Sequence, residues 1–169
     1  MTPAKVLVVD DDMIIRSMLE TLLNNHGCAI TTVSDGEKAI QLLENSRFDL
    51  VLTDLEMGKT SGFEVIRKAK EVAPDTLVFM MTSCHQLEYA ITAFRCGASG
   101  YLLKPFSSRC LFERLQKNGF PFISRKRAIT AESFSQENLQ TAIQVLPSLD
   151  DQKLRYAELE MQYHSLPSI

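Results

Sequence analysis

Acids, a hydroxyl and an amine each follow an apolar run in this chain. Val6-Leu7-Val8-Val9 runs into Asp10-Asp11-Asp12, and Leu50-Val51-Leu52-Thr53 into Asp54. Leu77 to Met81 ends in Thr82-Ser83, and Tyr101-Leu102-Leu103 in Lys104-Pro105. Brought together, these carboxylates would need neutralising, because two of them about 4 Å apart repel by about 4 kcal/mol at an effective dielectric of about 20. Proton sharing is one solution. The other is a hard divalent cation with oxygen ligands, and Mg²⁺ suits one or two carboxylates plus water and a phosphoryl oxygen. Lys104 adds a point positive charge and Thr82 a hydroxyl donor, the parts that hold a phosphoryl group beside a metal, with Asp54 as the nucleophile. Taken singly, each position has a plain structural reading. An Asp ending a strand is most often a turn former or cap, and Asp12 reads best as the cap of the helix that follows. The chemistry therefore depends on convergence.

Convergence is what the intervening elements predict. Short apolar runs bounded by turn residues read as strands buried on both faces, and in open α/β sheets chemistry sits at their carboxyl ends. Met13, Ile14, Met18, Leu19, Leu22 and Leu23 recur at helical spacing up to Asn24-Asn25-His26-Gly27. Ala29 to Val33 is a β-branched strand, followed by a Ser34-Asp35-Gly36 turn and a helix with Ala39, Ile40 and Leu43 inward. After Asp54, the loop Gly58 to Gly62 leads to a helix with Phe63, Val65, Ile66 and Ala69 on its buried side. A fourth helix carries Tyr89, Ala90, Ala93 and Phe94 and stops at Gly97; a fifth, capped by Ser107-Ser108, packs through Leu111, Phe112 and Leu115. Strand–helix units at roughly 20- to 25-residue spacing, joined by right-handed crossovers, predict an α/β fold with a doubly wound five-stranded parallel sheet.

The chain has 169 residues, 45% hydrophobic and 23% charged, enough for one globular domain with an appendage. A net charge of −3 gives no global reason to expect nucleic acid or an anionic membrane as partner. Cys28, Cys84, Cys96 and Cys110 are scattered without Cys-x-x-Cys or Cys/His spacing, which argues against a zinc site or a disulfide framework. They read as reduced, mostly buried thiols. His26, His85 and His164 share no ligand spacing and read as surface residues. Nothing at the amino terminus resembles a signal peptide, and no segment approaches the roughly 18 apolar residues of a membrane span. A cytoplasmic protein is the expectation.

In their order and spacing, Val-Val-Asp10-Asp11, Asp54-x-x-Met57, Thr82 and Lys104-Pro105 make residues 4–118 similar to a response-regulator receiver domain of two-component phosphorelays, a flavodoxin-like fold. The resemblance implies that Asp54 accepts a phosphoryl group from a sensor histidine kinase or phosphotransfer protein. It implies that Mg²⁺ is held by Asp11, Asp54 and the backbone carbonyl of Glu56, with Asp10 bound through water. Lys104 would pair with the phosphoryl oxygens, Thr82 would move towards them, and Tyr101 is the aromatic switch position that turns inward when the threonine moves. A cis peptide at Lys104-Pro105 is usual in the family. A homodimer through the face made by helix four, strand five and helix five, or through the C-terminal helices, is an expectation, while catalytic turnover beyond self-phosphorylation and autodephosphorylation is not expected.

Departures from the family pattern carry expectations of their own. Gly58 stands where proline is common, which predicts a more mobile loop beyond Asp54. Glu56 and Cys84 occupy positions that tune dephosphorylation, and the Glu56 carboxylate could either bind metal itself or repel a phosphodonor. The rival function is a haloacid-dehalogenase-like Mg-dependent phosphatase, whose Asp-x-Asp signature Asp54-Leu55-Glu56 mimics. That family, however, needs a second Asp as general acid and a late acidic pair, whereas here the pair precedes everything. No Gly-rich nucleotide fingerprint is present. From Gly119 the character changes, and residues 119–169 read as a helical extension or linker. It would pack on the receiver, pair protomers through Leu139, Ile143, Leu154, Ala157 and Met161, or lead to an output domain of a longer regulator. Arg125-Lys126-Arg127 reads as a solvated patch.

Overall fold

A computed structural model describes residues 2–121. Five strands alternate with five helices in the order β1 (Lys5–Val9), α1 (Met13–Asn25), β2 (Ala29–Val33), α2 (Gly36–Asn45), β3 (Leu50–Asp54), α3 (Gly62–Val72), β4 (Leu77–Thr82), α4 (Leu87–Arg95), β5 (Gly100–Leu103) and α5 (Ser108–Lys117). The strands form one parallel sheet ordered β2-β1-β3-β4-β5. The expected α/β doubly wound architecture is therefore present. Central β3 is buried at every position and β1 at all but Lys5, which is why their sequences are continuous apolar runs rather than alternating ones.

The side-chain alternation of the strands divides the core into two layers. Val6, Val8, Leu50, Leu52, Phe79, Met81 and Leu102 share one cluster with Leu19 and Leu23 of α1 and Leu111 and Leu115 of α5. Phe120, just beyond α5, is 4% exposed and belongs to this same cluster. The buried side chains of α2 (Ala39, Leu43), α3 (Val65, Ile66, Ala69) and α4 (Ala90, Ala93) lie outside it.

Helix ends follow the local sequence. Asp12 caps α1 by accepting from the Ile14 amide at 2.8 Å, Asp35 caps α2 through Lys38 N–H, and Ser107 caps α5 through Cys110 N–H. Gly97, at φ +101°, ends α4 in the left-handed region where a side chain would be strained.

Burial departs from the apolar pattern of the sequence in α1 and corrects the expectation of mostly buried thiols. Met13, Ile14 and Met18 are 68%, 73% and 37% exposed, because the sheet covers only the stripe Ile15-Leu19-Leu23 and these three lie off it. The apolar set of α1 is wider than the face the sheet can take. Among the cysteines, all free, only Cys28 is buried; Cys84, Cys96 and Cys110 are partly exposed at helix ends and loops. The expectations for residues 122–169, including the apolar side of the extension, Arg125-Lys126-Arg127 and His164, lie outside the described residues.

Candidate functional site

Strand order reverses between β1 and β3, so a crevice opens beyond their carboxyl ends where successive crossovers diverge to opposite faces. Register fixes what stands there. Val9 pairs with Thr53, so Asp10 and Asp54 are the next residues on neighbouring strands. Asp54 pairs with Met81 one residue before Thr82, and Thr82 pairs with Leu103 one residue before Lys104. Every residue whose chemistry the sequence singled out at a strand end thus falls within about one residue of a common row.

Side-chain geometry draws these positions into one cluster. Lys104 Nζ lies 2.6 Å from Asp10 Oδ2 and 3.3 Å from Asp54 Oδ2. Carboxylate oxygens of Asp10, Asp11 and Asp54 all lie within 4.8 Å of one another. Asp10 is fully buried, Asp54 is 9% exposed and Asp11 is open to solvent. One ammonium stands against a trio of acids, so the cluster retains excess negative charge. Burial pushes the Asp54 carboxyl above the usual carboxylate range; Lys104 opposes that shift and Asp10 adds to it. The carboxylate is held on both sides, with Oδ1 accepting from Leu55 N–H at 2.8 Å and Oδ2 facing Lys104.

Hard oxygen donors in this arrangement, one of them solvent-exposed, fit Mg²⁺, which keeps part of its water shell and takes one or two carboxylates. The Glu56 side chain is not part of the acid cluster. It is exposed and, with Asp11, Met57, Ser61, Phe63 and Tyr89, lines a neighbouring cavity of about 510 Å³.

Thr82 and Tyr101 are joined through one residue. The Cys84 amide donates to Thr82 Oγ1 at 3.1 Å, and the Cys84 carbonyl accepts from the Tyr101 hydroxyl at 3.0 Å. Tyr101 is 2% exposed, so its ring is turned inward. Burial pushes its phenol well above the ordinary tyrosine range.

The Lys104-Pro105 peptide is cis. Gly58 sits at φ +71°, a conformation closed to proline. Sequence reasoning passed over Leu55 and Gly62. Leu55 acts through its main chain, which its side-chain type does not reveal, and the sequence around Gly62 marks only a loop before a helix.

The chain matches known proteins over the same residues. A family model described as the response regulator receiver domain matches residues 6–116. A probable transcriptional regulator ycf27 from Guillardia theta is 36% identical over 115 residues, covering 68% of this chain and 45% of that protein. The response regulator MprA of Mycobacterium sp. (strain KMS) is 32% identical over 114 residues, covering 68% of this chain and 50% of its own. The matched region spans about half the length of these relatives. Among solved structures, the chemotaxis response regulator CheY4 of Vibrio cholerae superposes with a TM-score of 0.64 at 33% identity, covering 69% of this chain and 99% of that one. None of these matches supports the haloacid-dehalogenase alternative. Among the described residues, no helix is long and apolar enough to cross a membrane.

Proposed function

The chain belongs to the response regulator receiver family of two-component signalling, and from that premise we propose that Asp54 is its phosphoryl acceptor and that the domain acts as a switch rather than a turnover enzyme. The observation that carries the reading is the bridge from Lys104 to Asp10 and Asp54, which sets a fixed cation beside two strand-end carboxylates, of which Asp10 is fully buried and Asp54 keeps 9% exposure.

In the reaction, an Asp54 carboxylate oxygen attacks the phosphorus of a phosphohistidine on a sensor kinase or phosphotransfer protein. The O–P bond forms as the N–P bond breaks, the imidazole nitrogen keeps that electron pair, and solvent supplies its proton. Asp11, Asp54 and the Glu56 backbone carbonyl would hold Mg²⁺, with Asp10 through water. When bound, the metal supplies neutralisation of the phosphoryl oxygens. Leu55 N–H orients the acceptor carboxylate, and Lys104, already within 3.3 Å of it, pairs with the incoming phosphoryl oxygens. The Thr82 hydroxyl turns towards the new charge, and because Cys84 joins it to Tyr101, its movement biases a pre-existing equilibrium on the face of α4, β5 and α5.

That face, or the C-terminal extension, pairs protomers or meets the downstream partner. The kinase-facing setting is cytoplasmic, with no direct contact to nucleic acid or membrane by the receiver itself. The test is labelling with radioactive acetyl phosphate. Incorporation should require Mg²⁺ and vanish in Asp54→Asn; undiminished label in that variant, or in excess chelator, would refute the assignment.

A further inference from the structure

The first residue of α3 lies against the acceptor's own peptide. A Cβ built on Gly62 would stand 2.2 Å from the Asp54 carbonyl oxygen, 3.0 Å from its carbonyl carbon and 3.1 Å from Leu55 Cα. All of these are backbone atoms, so no side-chain rotation relieves the clash. The contact is also a hydrogen-bonded one. Gly62 N–H donates to the Leu55 carbonyl at 2.9 Å, while the amide of the same residue, Leu55, donates to Asp54 Oδ1 at 2.8 Å. The Leu55 amide also donates to the Met81 carbonyl of β4 at 3.2 Å, so this one residue, held by the sheet at its N–H and by α3 at its C=O, carries the position of α3 to the carboxylate. The Asp54 carbonyl is held independently by the Thr53 hydroxyl at 3.0 Å, so it is not free to retreat. Glu64 braces this first turn, its Oε2 accepting from the Ser61 amide at 2.9 Å and the Ser61 hydroxyl at 3.3 Å.

We propose that Gly62 is a positioning residue for phosphoryl acceptance: its bare Cα lets the first turn of α3 clamp Leu55, and Leu55 fixes the Asp54 carboxylate with Oδ2 turned to Lys104 and the cation site. The proposal rests on Asp54 being the acceptor. It adds that α3 sets the carboxylate's orientation by main-chain contact, so a single methyl group some distance from the reacting oxygens acts on the chemistry. Gly100 provides the comparison. A Cβ there would stand 2.2 Å from the Phe79 ring, an equally close clash made on a side chain in the core.

The experiment compares Gly62→Ala and Gly100→Ala in the 169-residue chain for urea stability, for Mg²⁺ affinity by amide NMR titration, and for labelling rate with acetyl phosphate. Both should lose stability. Gly62→Ala alone should weaken Mg²⁺ binding at least about tenfold, as loss of a ligand-orienting contact does, and slow labelling by about a hundredfold, as a misplacement of about 1 Å does. Where Gly62→Ala does not fold, Glu64→Ala loosens the same turn without adding an atom. It should weaken Mg²⁺ binding at least about threefold, whereas Asp35→Ala, which uncaps α2, should leave it within about twofold. Unchanged Mg²⁺ affinity and labelling in Gly62→Ala or, where that does not fold, in Glu64→Ala would overturn the proposal. So would an equal loss in the matched control. Failure of the parent chain to label at Asp54 at all would instead strike the underlying functional reading.

Discussion

Replacing Lys104 by methionine keeps most of the side chain's length and removes its charge. Asp10, fully buried, would lose a partner at 2.6 Å, and Asp54, whose side chain is 12% exposed, one at 3.3 Å. Removing one member of a buried pair costs about 3–5 kcal/mol, since the other charge stays behind without compensation. The lower end applies. Lys104 is itself 13% exposed, and Asp10 Oδ1 keeps the Asp12 amide at 3.0 Å, so about 3 kcal/mol is expected. Urea unfolding measures this directly, provided the slope of the transition is unchanged. Mg²⁺ should return more stability to the variant than to the parent, because the metal then supplies the only cation in the cluster; at a hundred times the dissociation constant the gain from binding is about 2.7 kcal/mol. A loss below about 1 kcal/mol, or equal gains from Mg²⁺ in both proteins, would refute the view that these acids are held together by positive charge.

Asp54→Asn should be more stable than the parent at neutral pH. Burial raises the Asp54 pKa, so its contribution is favourable below the unfolded pKa and is lost as pH rises through the folded one. The advantage of the amide should shrink as pH falls from about 7 towards 4, and thermal melts showing the variant less stable at pH 7 would contradict the assigned burial cost. Tyr101→Phe removes the donor to the Cys84 carbonyl and should cost about 1 kcal/mol in urea while leaving Mg²⁺ affinity unchanged. A parallel loss of metal binding would mean the ring supports the acid cluster rather than reporting from it.

The sheet was legible because β1, β3 and β4 are buried runs with turn residues at both ends. The strand-end residues were legible because parallel register forces them into one row. Helix caps at Asp12, Asp35 and Ser107 are local side-chain to backbone chemistry, which neighbouring residues alone determine. What escaped depends on tertiary placement. The exposure of Met13 and Ile14 follows from how wide a stripe of α1 the sheet covers, and periodicity does not give that width. Phe120 lies past the point where composition changes, yet it fills the core beneath α5. The restraint on Asp54 by Leu55 is a main-chain contact, and the closeness of Gly62 becomes visible only once α3 is seen against β3.

The most direct test of the account is to trap the acyl phosphate itself. Borohydride reduces an aspartyl phosphate to homoserine, so peptide mapping after labelling with acetyl phosphate and Mg²⁺ identifies the acceptor by position. The account predicts homoserine at position 54 and nowhere else, absent when the metal is withheld. Homoserine at position 10, 11 or 12, or stable phosphate on a residue outside the cluster, would contradict it.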